Sequence, residues 1–134
     1  MAFIDWSDEY SVSVDIFDKE HQSLIAIINE LHQGLTSGFG IKEMTYILDR
    51  LLEYTSKHFY HEEKEMHAYA YPDFDVHKKA HEQLVADVKK YKDRLESGEQ
   101  AFSLELLAFL KKWLVNHILG TDKKYSKFFA GKNI

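Results

Sequence analysis

The sequence has no cysteine, a single proline and only six glycines in 134 residues. Without cysteine the chain cannot form a disulfide, an iron–sulfur cluster or a zinc site with thiolate ligands. Because proline and glycine interrupt regular structure, their scarcity predicts long, unbroken elements. Long apolar runs are also missing, and none approaches the roughly 20 residues that a membrane-spanning helix needs. We therefore expect a protein that does not insert into a membrane.

Positive charge is not in excess either, since 17 Lys and Arg face 22 Asp and Glu for a net charge of −5. No basic stripe stands out, and the Lys123-Lys124 pair is interpreted as a solvated patch, so no nucleic-acid partner is expected. The N-terminus has neither the basic region nor the apolar region of a signal peptide, which favours a cytoplasmic location. The length suits one domain, residues 1–134.

The spacing of apolar residues predicts four helices. The first runs from Asp18, a candidate N-cap, to Gly38, and the second spans residues 41–65. Asp73 and Ser103 are the candidate N-caps of the third and fourth. Four helices joined by short loops predict an all-α, antiparallel up-down-up-down four-helix bundle over residues 18–122. Residues 1–17 are expected to form an irregular arm, and residues 123–134 a short C-terminal tail with one more helical turn.

Two pairs of side chains carry the clearest chemical signal. His58 and Glu62 stand at positions i and i+4, and so do His77 and His81, which places each pair on one face of a helix. Burying such groups without a partner is costly, so nitrogen and carboxylate donors on an inner face indicate a metal site. The number of candidate donors predicts two metal ions.

Helical geometry alone leaves the choice around His58 open. His61 and Glu65 lie close to the same face as Glu62, so any of the three could be the ligand. His67 points to the opposite side of the helix and is expected at the surface. His32 shares a face with His21 but lies about 16 Å further along the axis, too far to bind the same metal.

The fourth helix presents the opposite difficulty. On a regular helix His117 and Asp122 lie about 140° apart, so they cannot both reach one centre. Either the helix bulges or unwinds near Gly120, as helices often do at functional sites, or Asp122 is an exposed partner of a nearby lysine. The spacing alone does not decide between these two interpretations.

Taken together, the pattern resembles the hemerythrin signature: Asp18 before His21, then His58-x3-Glu62, His77-x3-His81 and His117-x4-Asp122. The resemblance extends over nearly the whole chain, including Trp6 in the arm, and points to the single-domain bacterial branch, the bacteriohemerythrins. It implies a non-haem di-iron centre that binds O2 reversibly, for storage, delivery or sensing. An O2-consuming partner protein, if there is one, is not identified by the sequence.

The resemblance also implies a role for each ligand. His77, His81 and His117 would hold one iron, and His21 and His58 the other. Glu62 and Asp122 would bridge both irons together with an oxide or hydroxide. Counting octahedral positions, this set leaves one position open, on the iron with two histidines. The residues expected to form an apolar O2 pocket over that position are Leu24, Phe59, Trp113, Leu114 and Ile118.

The composition of the ligand set separates this interpretation from its rivals. Ferritin-like di-iron oxidases use four glutamates and two histidines, whereas a histidine-rich set favours reversible binding. No catalytic residue is evident, so no enzymatic activity is expected. The alternatives are a di-iron peroxidase or oxidase and an iron-handling protein. A zinc hydrolase is disfavoured because no His-Glu-x-x-His motif is present.

Overall fold

The computed structural model describes residues 3–98, 102–132 and 134, with the backbone alone for residues 102 and 103. These residues form five α-helices, a single 3-10 turn and one π-helical segment. The elements are a turn at Asp8–Tyr10, α1 (Asp15–Thr36), α2 (Ile41–Ala68), α3 (Phe74–Glu96), α4 (Phe102–Asn116), the π-helical segment (His117–Asp122) and α5 (Lys123–Phe129). Helices α1 and α3 each pack against both α2 and α4. The predicted four-helix bundle is confirmed.

The start of α1 differs from the sequence prediction. The helix begins at Asp15 and not at Asp18, because Val14 is its N-cap residue in extended conformation. Asp18 lies inside the first turn, where its carboxylate accepts hydrogen bonds from the Val12 N–H at 2.8 Å and the Ser11 hydroxyl at 2.6 Å. Asp18 therefore ties the arm to the bundle and does not cap the helix.

The other helix ends agree with the prediction more closely. Gly38 follows α1 with a φ of 78°, the left-handed conformation that glycine adopts readily. Helix α2 runs three residues beyond the predicted end, to Ala68. Asp73 is the N-cap of α3, although its side chain makes no capping hydrogen bond. Ser103 is not an N-cap because α4 already begins at Phe102, and its side chain lies outside the described part of the chain.

The interior of the bundle is apolar at both ends and polar in the middle. The apolar part of the core includes Leu31, Leu48, Leu84 and Leu110, all at most 5% exposed. Nine polar or charged side chains are buried among the described residues, and seven of them are the candidate ligands. Burial of so many polar groups is expensive unless each has a partner. The polar layer therefore marks the site.

Both ends of the chain pack onto the bundle. In the arm, the Asn29 side chain accepts a hydrogen bond from the Ile4 N–H at 2.8 Å and donates one to the Ile4 carbonyl at 2.9 Å. In α5, Tyr125 and Phe129 are buried and meet the ring of Phe17 edge-on. The predicted helical turn in the tail thus covers one end of the polar layer. No helix in the described residues is long and apolar enough to cross a membrane.

Candidate metal centre

The structure brings all seven sequence-predicted ligands to one place in the middle of the bundle. Each is at most 6% exposed. Helix α1 contributes one, α2 and α3 contribute two each, and the π-helical segment contributes two. In chain order they are His21, His58, Glu62, His77, His81, His117 and Asp122. The i, i+4 pairs on α2 and α3 point inward because the apolar stripe of each helix continues on the same face.

The donor atoms fall into two groups that share a carboxylate. The larger group comprises Glu62, His77, His81, His117 and Asp122, and the smaller comprises His21, His58 and Glu62. Within each group the donor atoms lie within 4.8 Å of one another, which suits a single metal ion. Glu62 therefore lies between the two groups.

Asp122 also lies between the two sets of histidines. Its Oδ2 is 3.1 Å from Nε2 of His21, in the smaller group. Its Oδ1 is 2.9 Å from Nε2 of His77 and 3.0 Å from Nε2 of His117, in the larger group. One oxygen of the carboxylate thus faces each side, which is the arrangement that a bridging ligand needs.

Several of these buried atoms have no hydrogen-bond partner. They are both ring nitrogens of His21, Oε1 of Glu62, Nε2 of His77 and both carboxylate oxygens of Asp122. Nitrogen–oxygen distances near 3 Å occur among them, at Asp122 with His21 and with His77, yet these contacts are not hydrogen bonds. Buried polar atoms without partners cost about 1–3 kcal/mol each. Metal ions of octahedral preference would satisfy them, so the residues present fit the two irons.

The π-helical segment explains how His117 and Asp122 reach the same centre. Its i→i+5 hydrogen bonding includes one more residue per turn, so residues five apart come close to the same face. Asp122 is 1% exposed, which rules out the alternative of a surface partner for a lysine. Of the two interpretations left open by the spacing, the structure therefore shows the bulge near Gly120.

The remaining histidines and Glu65 lie away from the centre. His61 is half-buried and contacts Glu20, not the ligand groups. Glu65 is also half-buried and belongs to neither group. His67 is exposed, as expected, and His32 stacks on Phe3 of the arm with ring centroids 4.5 Å apart. Of the three candidates left open on α2, the structure therefore brings Glu62 to the centre.

The two carboxylates and the histidines shift one another's pKa values. Burial alone would lower the pKa of His21 and His77, but Asp122 and Glu62 outweigh it and raise these pKa values to about 10 and about 9. Burial would raise the pKa of Glu62, yet the side chains of His58, His21 and His77 hold this pKa well below its ordinary value. The raised pKa values favour the protonated forms of His21 and His77 in the metal-free protein, so metal binding competes with protons there.

Three residues at the site were not identified from the sequence. Glu20 receives hydrogen bonds from Nδ1 of His58 at 2.9 Å and Nδ1 of His61 at 2.5 Å. Glu63 receives one from Nδ1 of His81 at 2.9 Å. Tyr125 donates one to Glu62. Glu20 and Glu63 stand next to candidate ligands in the sequence, which was the only available signal.

Apolar and aromatic side chains surround the centre. Phe59 stacks on His81 with centroids 3.6 Å apart, and Trp113 stacks on His117 at 4.3 Å. An apolar cavity of about 20 Å³ lies beside the polar layer, between all four long helices. Leu24, Trp113 and Leu114, three of the predicted pocket residues, line it. Phe59 and Ile118 are buried but are not among its lining residues.

Comparison with known proteins gives consistent matches. The family model described as the hemerythrin HHE cation binding domain matches residues 12–129. The bacteriohemerythrin of Stenotrophomonas maltophilia (strain R551-3) is 35% identical over 126 residues, which cover 94% of this chain and 81% of that protein. The myohemerythrin of Theromyzon tessulatum is 32% identical over 120 residues, covering 90% of this chain and 88% of that protein.

Solved structures show the same similarity. A wild-type hemerythrin superposes with a TM-score of 0.85 at 33% identity, covering 94% of this chain and 97% of that one. A point mutant of hemerythrin gives a TM-score of 0.87 at 32% identity, covering 95% and 97%. The similarity therefore extends over the whole bundle and not only over the ligand positions.

Proposed function

The chain belongs to the hemerythrin family, whose function is reversible O2 binding at a non-haem di-iron centre, and we propose how its own residues build that centre. His77, His81 and His117 would hold one iron, while His21 and His58 would hold the other. Glu62 and Asp122 would each offer a carboxylate to both irons. The observation that carries this assignment is the set of buried donor atoms that converge without hydrogen-bond partners.

When bound, the iron pair would supply the electrons with which O2 is held reversibly. The surrounding residues would keep the O2 side of the centre dry. Leu24 lies one helical turn after His21, and Leu114 lies one turn before His117, so both border the apolar cavity next to the centre. A cavity with apolar walls admits a small apolar molecule more readily than water or anions. We propose that Phe59, Trp113 and Ile118 complete this apolar surround.

Binding without turnover is the second part of the proposal. The donor set has five histidines and two carboxylates, in contrast to the four glutamates and two histidines of ferritin-like oxidases. Residues 1–134 are proposed to act as one hemerythrin-like domain that stores, delivers or senses O2. The cytoplasmic location expected from the sequence stays a prediction.

One experiment separates binding from its alternatives. The iron-loaded protein is reduced without air, exposed to O2 and then returned to vacuum, while its absorption spectrum is recorded. We expect two irons per chain and full recovery of the colourless diferrous spectrum over repeated cycles. Steady consumption of O2 with an added reductant would instead support an oxidase. Ready loss of both irons to a mild chelator would support an iron-handling protein.

A further inference from the structure

Glu20 is a buried carboxylate that lies next to the centre without belonging to it. The residue is 8% exposed and is absent from both ligand groups. Its Oε1 accepts a hydrogen bond from Nδ1 of His58 at 2.9 Å, and its Oε2 accepts one from Nδ1 of His61 at 2.5 Å. Placing an anion in the interior is costly, so these two contacts must contribute to the structure or to the function.

The contact with His58 determines how that ring faces the centre. Because a carboxylate can only accept hydrogen bonds, Nδ1 of His58 carries the hydrogen. Its Nε2 is then left with a free lone pair that can bind a metal ion. That Nε2 lies 3.2 Å from Oε2 of Glu62, on the side of the ligand groups. His61 holds the other oxygen of Glu20, so the carboxylate cannot rotate without losing one hydrogen bond.

A carboxylate holds one histidine in this way in each of the two ligand groups. In the group with three histidines, His81 has the corresponding contact with Glu63. In the group with two histidines, Nδ1 of His21 has no partner. The ring of His58, held by Glu20, is therefore the one ring of that group that a carboxylate fixes. Loss of Glu20 therefore affects the side of the centre with fewer ligands.

We propose that Glu20 is a positioning residue that orients His58 towards the iron with two histidines, so that its removal selectively loosens that iron. This inference rests on the proposed assignment of ligands. Replacing a residue that holds a metal-bound histidine typically weakens metal affinity by about 10–100-fold. Glu63 contacts His81 instead, so the other iron should be unaffected by changes at Glu20.

Release of iron to a chelator tests this directly. Four proteins are loaded with ⁵⁷Fe(II) without air and then mixed with a chelator of ferrous iron. They are the wild type, Glu20→Ala, Glu20→Gln and Glu20→Asp. Released iron is followed by absorbance, and iron that remains is identified by its Mössbauer spectrum, since the two sites differ in their number of histidines. Glu30→Ala is the matched control, because Glu30 is an exposed carboxylate on the same helix that pairs with Arg50 at 2.7 Å.

In Glu20→Ala we expect one iron per chain to leave about 10–100-fold faster than in wild type, while the other leaves at the wild-type rate. Glu20→Gln should restore slow release in part, because its amide oxygen still accepts from Nδ1 of His58. Glu20→Asp keeps the charge but is one methylene shorter, so it should lose iron quickly, and it decides the question if the alanine variant does not fold. Glu30→Ala should behave as wild type.

The inference would be overturned if Glu20→Asp or Glu20→Ala released both irons at the wild-type rate. Equal acceleration of both irons, which indicates general loosening of the bundle, or a glutamine variant no better than alanine would also overturn it. Wild-type protein that holds fewer than two irons would instead contradict the proposed function, and the inference with it.

Discussion

Tyr125 donates a hydrogen bond to Oε2 of Glu62 across 2.5 Å, which connects the C-terminal helix α5 to the middle of the bundle. Both side chains are fully buried. Burial raises the pKa of Tyr125 well above its ordinary value, and the carboxylate of Glu62 raises it further, so the phenol keeps its hydrogen. The tail therefore acts as part of the candidate centre and not as an appendage.

Replacing Tyr125 with Phe should destabilise the metal-free protein by about 1.5–3 kcal/mol, because a buried hydrogen bond to a charged group is lost while the ring remains. The free energy of unfolding, measured in denaturant, checks this. Tyr60→Phe is the control, since Tyr60 is 63% exposed. Equal stability of the two variants would show that the Tyr125 hydroxyl contributes nothing.

Changing the length of the π-helical segment should have opposite effects in its two directions. Deleting Gly120 converts His117-x4-Asp122 into a His-x3-Asp spacing, which a regular helix holds on one face, as in His58 and Glu62. We therefore expect the deletion variant to retain two irons. Inserting one alanine after Gly120 should rotate Asp122 by about 100° and lower the iron content.

Iron analysis of the purified variants checks both expectations. Gly120→Ala is the matched control, because a Cβ atom there would meet nothing within 4 Å. A well-folded deletion variant without iron would mean that the bulge itself is required, and an insertion variant with two irons would remove Asp122 from the proposed ligands.

The centre could be predicted from the sequence where its geometry is local. His58 with Glu62 and His77 with His81 are pairs within one helical turn, so their common face follows from the spacing. The position of Asp122 could not be predicted in this way, because only the extra residue of the π-helical segment brings its side chain inward. Helical arithmetic left it open, and the resemblance to a known family supplied the assignment.

Contacts between distant parts of the chain could not be predicted. Glu20 and His58 are 38 residues apart, and Glu62 and Tyr125 are 63 residues apart. Both pairs depend on which helices become neighbours and on how far each is rotated. The predicted start of α1 at Asp18 was wrong for a related reason, since the carboxylate of Asp18 accepts a hydrogen bond from Val12 of the arm.

Removing a single proposed ligand from either of the two groups should abolish O2 binding. His58→Ala and His81→Ala should each retain fewer than two irons, because the surviving donors can no longer complete both sites. Loss of bound metal also removes its stabilisation, about 2.7 kcal/mol when free iron is 100-fold above its Kd. Iron content and melting temperature measure the two effects.

His67→Ala is the control for these variants, since His67 is exposed and its ring contacts that of Phe74. It should bind two irons and O2 as wild type does. Two irons and normal O2 binding in His58→Ala or His81→Ala would refute the assignment of that histidine.

Leu114→Ala tests whether the apolar cavity protects bound O2. Leu114 is 4% exposed and lines the cavity one turn before His117, so truncation should enlarge it and cost about 2–5 kcal/mol of stability. Water and anions should then reach the centre more easily, and the oxygenated form should decay faster to diferric iron. Leu106→Ala is the matched control, because Leu106 is also buried on the same helix but does not line the cavity. It should lose comparable stability without faster decay. If Leu114→Ala keeps two irons and its oxygenated form decays no faster than that of the control, Leu114 contributes packing alone.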